Sequence, residues 1–220
     1  AGARQGFAIG VDGTLWGWGN NVTGQLGDGT FVPRALPVQL GSGYVALSSN
    51  VNHTLAIQSD GTLWTWGSRQ YSPARVGTDS GYSAVAAGYL HSVAVKSDGS
   101  VWTWGRNEQG QLGLGSPSGD SVALPMAIGL THVRAVAAGY NHSLALKTDG
   151  TLWAWGDNTG GQLGDGTGSD AATPRLVGSG YVAMAAQGYQ SMGVKSDGSV
   201  VTWGSGTLAP TLKASGASMV

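Results

Sequence analysis

Apolar and polar positions alternate in short runs along the whole chain. His142-Ser143-Leu144-Ala145-Leu146-Lys147 is one such run, bounded by Gly139-Tyr140-Asn141 on one side and Asp149-Gly150 on the other. Thr151-Leu152-Trp153-Ala154-Trp155-Gly156 follows, rich in aromatic and β-branched residues. Brief apolar stretches broken by Gly and Asx residues predict strands joined by tight turns. Val133 to Ala138 adds a small-residue strand before this pair, and Pro174 to Val177 a short one after it, where proline suits a sheet edge. Asp-Gly between two alternating runs predicts a two-residue type I′ hairpin, whose central positions both need φ > 0.

The same unit is made five times. Asp149 to Gly156 has counterparts in Asp12 to Gly19, Asp60 to Gly67, Asp98 to Gly105 and Asp197 to Gly204. The first turn of each unit falls at Gly2, Asn50, Gly88, Gly139 and Gly188, which divides the chain into units near 2–49, 50–87, 88–138, 139–187 and 188–220 plus 1. Four short antiparallel strands per repeat, arranged radially, predict an all-β fold: a β-propeller of five four-stranded blades in a single domain. The tail Ala217-Ser218-Met219-Val220, continued into Ala1-Gly2, reads like Ala84-Val85-Ala86-Ala87-Gly88. The C-terminal strand is therefore expected to pair beside the N-terminal one and close the ring, which would leave no apolar edge uncovered. The units also differ. A Gly-Gln-Leu-Gly loop occurs at Gly24, Gly110 and Gly161, whereas the second unit passes from Gly67 through Ser68-Arg69-Gln70-Tyr71-Ser72 directly to Pro73. In the fifth unit Val201 replaces the first tryptophan.

Composition narrows the function classes. The 220 residues include 39 Gly, 9 Trp and 7 Tyr, so glycine marks turns while the aromatics supply a core that a disordered chain lacks. Charged residues are only 10% and the net charge is −1, which gives no electrostatic reason to bind nucleic acid. No apolar run is long enough to insert in a membrane. The absence of cysteine excludes disulfides, thiolate metal sites and a Cys nucleophile. Low charge, no thiols and many small polar residues lean towards a secreted or cell-surface protein, otherwise a cytoplasmic one. The start at Ala1 is expected to reflect processing or trimming.

Ala138-Gly139-Tyr140-Asn141-His142-Ser143-Leu144-Ala145-Leu146-Lys147-Thr148-Asp149-Gly150, with Leu152-Trp153-Ala154-Trp155-Gly156 and Gly161-Gln162-Leu163-Gly164, resembles the regulator-of-chromosome-condensation repeat family. The resemblance covers essentially the whole chain. It implies a β-propeller, usually of seven blades, and members that serve as GTPase exchange factors, as an ultraviolet photoreceptor, or as secreted bacterial β-lactamase inhibitors. The photoreceptor's chromophore tryptophans correspond to Ala3, Val51, Tyr89, Tyr140 and Tyr189, none of them Trp, and no exchange-factor wedge is inserted. The inhibitor, a bare propeller that binds by one face, is nearest in setting.

The candidate chemistry is sparse. His53, His91 and His142 share one position in three units, where Gln5 and Ser191 stand in the others. A ring of imidazoles could ligate metal, but the same positions suit hydrogen bonding to backbone within each blade. The turn aspartates are explained by their hairpins. Glu108 is the only glutamate, and there is no Gly-x-Ser-x-Gly elbow or phosphate loop. We therefore expect no cofactor, no metal and no catalytic residue. Topology offers more. With strands counted outward from the axis, the Asp-Gly turns emerge on one face and the Gly-Tyr turns and long loops on the other. The second face gathers Arg4, Asn52, Tyr89, Leu90, Tyr140, Asn141, Tyr189 and Gln190, joined by Arg69 and Tyr71 from the shortened loop. These types are common in protein-binding surfaces. The expected function is a monomeric protein-binding module, inhibitor-like, using that face. The alternatives are a polysaccharide- or peptide-acting enzyme with its site at the channel mouth, and a structural fragment of a larger surface protein.

Overall fold

The computed structural model describes residues 4–216, apart from the side chain of Asp120. Every regular element among them is a strand, and the strands form five antiparallel sheets taken in chain order. The first sheet contains β1 (Gln5–Ile9), β2 (Leu15–Gly19) and β3 (Arg34–Gly41). The second contains β4 (Tyr44–Ser49), β5 (His53–Gln58), β6 (Leu63–Gly67) and β7 (Gln70–Arg75). The third contains β8 (Tyr82–Ala87), β9 (His91–Lys96), β10 (Val101–Asn107) and β11 (Ser118–Ala127). The fourth contains β12 (Val133–Ala138), β13 (His142–Lys147), β14 (Leu152–Gly156) and β15 (Ala171–Gly178). The fifth contains β16 (Tyr181–Gln187), β17 (Gln190–Lys195), β18 (Val200–Gly204) and β19 (Thr207–Ala214). Within each sheet the spatial order follows the chain, the meander of a propeller blade. The pairing expected to close the ring, through Ala217–Val220 and Ala1–Gly2, lies outside the described residues. The described part of the first blade accordingly has three strands.

The hairpin turns differ from expectation in one respect. Gly13, Gly61, Gly99, Gly150 and Gly198 have φ of 75 to 79°, but none of the aspartates has positive φ, so these are not type I′ turns. In the fourth blade Gly150 N donates to Lys147 O and Lys147 N donates to Thr151 O. The turn is a three-residue loop ending in a left-handed glycine. Asp149 Oδ1 accepts from Thr151 N at 2.9 Å and from Thr151 Oγ1 at 2.7 Å, so the carboxylate pins the turn. The hydrogen bonds to Thr151 lower the Asp149 pKa below the ordinary carboxylate value.

Hydrophobic clusters join the first blade to the second, the second to the third, the third to the fourth and the fourth to the fifth. A blade buried on both faces reads as continuously apolar: β13 is buried from His142 through Leu146. In β17 buried and exposed residues alternate, and Met192 is exposed, so one face of the fifth sheet is open among the described residues. The two tryptophans of each pair have different jobs. In the second, third and fourth blades the second (Trp66, Trp104 and Trp155) is buried between blades, as is the unpaired Trp203, whereas Trp18 of the first blade is only partly buried. Trp16 of the first blade is exposed, whereas in the second to fourth blades the first tryptophan is only partly buried. Its indole donates to the hydroxyl beside the Asp-Gly turn, as Trp153 Nε1 does to Thr151 Oγ1 at 3.1 Å. Lys147 Nζ sits over that ring, 5.0 Å from its centroid.

Candidate functional site

The long loops are built before they are used. Asn107, Asn158 and Asn21 are buried at the loop bases, and each side-chain oxygen accepts the backbone N–H of the leucine five residues on (Leu112, Leu163, Leu26). Asp28 and Asp165 are paired with Arg34 at 2.6 Å and Arg175 at 2.9 Å, which closes two of the loops from the outside. So held, each loop reaches over the next blade. Gln111 O accepts from both Trp155 Nε1 at 2.8 Å and Ser143 Oγ at 3.0 Å. Gln162 O accepts from Trp203 Nε1 and Ser191 Oγ, and Gln25 O from Trp66 Nε1 and Thr54 Oγ1. Glycine is required there: a Cβ on Gly164 would stand 2.7 Å from the Trp203 ring, at a φ of +72°.

The histidines belong to this scaffold, by a route the sequence did not suggest. Each bonds to the next blade rather than to backbone in its own: His91 Nε2 meets Ser143 Oγ at 3.0 Å, and His142 Nε2 meets Ser191 Oγ at 2.9 Å. Because those serines donate onward to Gln111 O and Gln162 O, the histidines donate to them through Nε2–H. Burial disfavours the imidazolium and lowers the pKa of His91 to about 3 and of His142 to about 4. Among the described residues no group of three or more His, Asp and Glu gathers as a metal site would need.

The Gly-Tyr turns do emerge on the loop face, and they form a row. Tyr89 and Tyr140 pack edge to face with centroids 5.6 Å apart, and Tyr140 and Tyr189 do the same at 5.3 Å. Backbone bonds fix the row: Tyr89 N donates to Tyr140 O at 3.1 Å and Tyr140 N to Gly188 O at 2.8 Å. The outer rings are open to solvent, Tyr89 at 37% and Tyr189 at 50% exposure. A cavity of about 420 Å³ lies beside the row, lined by Arg4, Asn52, Tyr89 and Tyr140 together with Gln25 and Asn20. Tyr140 also borders an axial channel of about 420 Å³ walled by Ser48, Ala86, Ala137, Met184 and similar residues. Among the described residues no carboxylate or imidazole lines that channel.

The structure thus brings Arg4, Asn52, Tyr89 and Tyr140 to one cavity and separates the other expected residues. Leu90 lines a neighbouring cleft between the second and third blades. Tyr189 ends the row, and Gln190 beside it lines a recess on the open face of the fifth sheet. Asn141 works through its backbone, its carbonyl accepting from Asp157 N at 2.9 Å. Arg69 and Tyr71 stand apart at the outer rim, where Tyr71 packs edge to face on Phe31 at 5.3 Å. Phe31 and the loop-base asparagines were missed from the sequence. The asparagines had left a signal in their constant spacing of five from the loop leucine.

Comparison with known proteins agrees with this architecture. Residues 12–57, 98–146 and 149–192 match the family described as "Regulator of chromosome condensation (RCC1) repeat". The human E3 ubiquitin-protein ligase HERC2 is 30% identical over 184 residues, 80% of this chain and 3% of that protein. The structure of Prp20p from Saccharomyces cerevisiae, reported with its binding to Gsp1p and histones, superposes with a TM-score of 0.82 at 24% identity, over 97% of this chain and 64% of that one. Yeast RCC1 (Prp20) as bound by Kap60 gives 0.80 at 26% identity, over 93% and 54% of the two chains. The chain therefore spans less than two thirds of each of these relatives. On the strength of its repeats and blades, it belongs to the regulator of chromosome condensation (RCC1) repeat family.

Proposed function

We propose that this chain is a protein-binding module whose contact surface is centred on the Tyr89–Tyr140–Tyr189 row and the cavity beside it. The observation that carries this reading is the row itself: three aromatic rings held by inter-blade backbone bonds, partly exposed, with Arg4 and Asn52 alongside. Rigid aromatic rings with a polar tip give large contact area at low entropic cost. The Prp20 structures offer support by kinship, since Prp20p binds Gsp1p and histones and yeast RCC1 has been captured with Kap60. A partner held over the channel mouth could also be inhibited there, the inhibitor-like use expected from the sequence. The second reading, a segment of a larger protein, is favoured by the small share of HERC2 that the chain covers. It is compatible with the first.

The test is capture of a partner by the immobilised chain. Replacing Tyr89, Tyr140 and Tyr189 together by Ala should abolish capture and leave the circular dichroism unchanged. Replacing Asp12, Asp60 and Asp98 on the opposite face should leave capture intact. Undiminished capture by the tyrosine variant would sink the assignment.

A further inference from the structure

Between the second and third blades lies a cleft of about 250 Å³, lined by His53, Thr65, Ser68, Gln70, Leu90, Ser92 and Trp104 among others. It occupies the place where, at three other junctions, this chain inserts a loop. There the loop Leu26, Leu112 or Leu163 is fully buried, and the preceding Gln carbonyl accepts two hydrogen bonds, one from the next blade's buried Trp and one from a hydroxyl. The second blade has no such loop. β6 and β7 are joined by Ser68-Arg69 alone, at φ of 51° and 78°. Two consecutive left-handed non-glycine residues are strained, and such strain concentrates at functional sites.

The donors that a loop carbonyl would satisfy are nevertheless all present. Trp104 is 8% exposed and lines the cleft, and its indole N–H has no partner among the described residues. Ser92 is bonded to His53 Nε2 at 3.1 Å, as Ser143 is to His91. Ser143 passes its own proton to a loop carbonyl, whereas no loop carbonyl meets Ser92, whose proton is free to point to His53 Nε2 or into the cleft. Thr65, without a loop carbonyl, bonds elsewhere. Its counterpart Thr103 donates to Leu112 O at 2.8 Å, while Thr65 Oγ1 turns back to Thr54 O at 3.1 Å.

We propose that this cleft is a docking site for a turn of another polypeptide, one presenting a backbone carbonyl followed by a leucine-sized aliphatic side chain. The carbonyl accepts from Trp104 Nε1 and Ser92 Oγ, and the aliphatic group enters between the blades beside Leu90. The occupant's chemistry is that of this chain's own Gly-Gln-Leu-Gly loops, the ligand that the three equivalent junctions already hold. The site stands beside the tyrosine row and does not depend on it.

The probe is a cyclic peptide with the sequence of residues 107–115, titrated into the full chain and followed by calorimetry. Saturable binding is expected, and replacing the peptide's Leu112 by aspartate should abolish it. Trp104→Phe keeps the ring and removes the N–H, and should weaken binding about tenfold, the worth of one hydrogen bond to a buried donor. Ser92→Ala should do likewise, with a thermal melt to verify folding. Replacing Ser68-Arg69 by the loop 157–168 should fill the cleft, raise the Tm and eliminate peptide binding. The tyrosine-row triple variant should bind the peptide normally, which separates this site from the proposed contact surface. Absence of saturable binding, equal affinity for the aspartate peptide, or indifference to Trp104→Phe would overturn the proposal. So would a dimer in sedimentation that the peptide dissolves, which would make a second copy the occupant.

Discussion

The two faces of the propeller are joined by different means. On the Asp-Gly face the four described junctions are alike and use backbone only. Gly13 O, Gly61 O, Gly99 O and Gly150 O accept from Tyr44 N, Tyr82 N, Val133 N and Tyr181 N, the residues that begin the following blades. Within each following blade a further backbone bond ties its own turn to its first strand, as from Ser59 N to Gly43 O and from Ser196 N to Gly180 O. On the loop face side-chain bonds add to inter-blade backbone bonds, and the junctions are unequal: three hold a Gln-Leu loop against a tryptophan, while the second-to-third junction holds a cleft. Backbone bonds tolerate sequence change and can hold blades in register everywhere. The loop face is thereby free to lose an element in one unit without loss of the array, and irregularity collects where loops carry function.

The largest effect that could break this contrast is a comparison of Trp155 with Trp104. Trp155→Ala removes a fully buried ring and a hydrogen bond and should cost about 3–5 kcal/mol, read from urea unfolding. Trp104→Ala should cost about 1–2 kcal/mol less, because its ring borders open space and makes no loop bond. Equal costs would mean that the cleft is energetically no different from a filled junction.

Acid sharpens the contrast next. In the unfolded chain the imidazoles titrate near 6.5, whereas folded His91 and His142 titrate near 3 and 4 because burial excludes the charge. Between those values the unfolded chain binds protons that the folded one refuses. Their contribution is therefore complete above about pH 6.5 and is lost as the pH falls towards 3, on the order of a few kcal/mol in all. Tm measured against pH should show this decline. The double variant His91→Gln, His142→Gln should make it shallower, buried His53 with its pKa lowered to about 4 still contributing, and glutamine is the residue that the first blade already uses at Gln5. An unchanged slope would move the acid sensitivity elsewhere.

The smallest effect lies on the turn face. Gly150→Ala forces a Cβ onto a φ of +79° and should cost about 1 kcal/mol. It should leave peptide binding at the cleft unaltered, and any change there would show that the two faces are coupled.

Much of this architecture was legible in the sequence. Alternation and Asp-Gly punctuation are local signals, so the strands, their order and the number of units could be read directly, and the face bearing Tyr89, Tyr140 and Tyr189 followed from counting strands outward. What escaped the sequence depended on contacts between units. A type I′ turn was expected at Asp149-Gly150 because the dipeptide suits it, but the carboxylate's bond to Thr151 leaves only glycine left-handed. The histidines were assigned to their own blades, whereas their partners are serines of the next. The expected binding residues formed one list in the sequence. In space they divide into a cavity group, a cleft residue and a rim pair, since adjacency in a repeat register does not set distance across blades.

The sequence by itself determined that this is an array of five blade units with glycine turns and, in four of them, paired tryptophans, because each unit's hydrophobic period and turn chemistry are complete within a few residues. It also showed that the second unit lacks a loop. Only the tertiary structure decided what that omission does. A loop's partner is the neighbouring blade, so where the loop is missing the Trp104 indole N–H is left without a partner, in a cleft that Ser92 also lines.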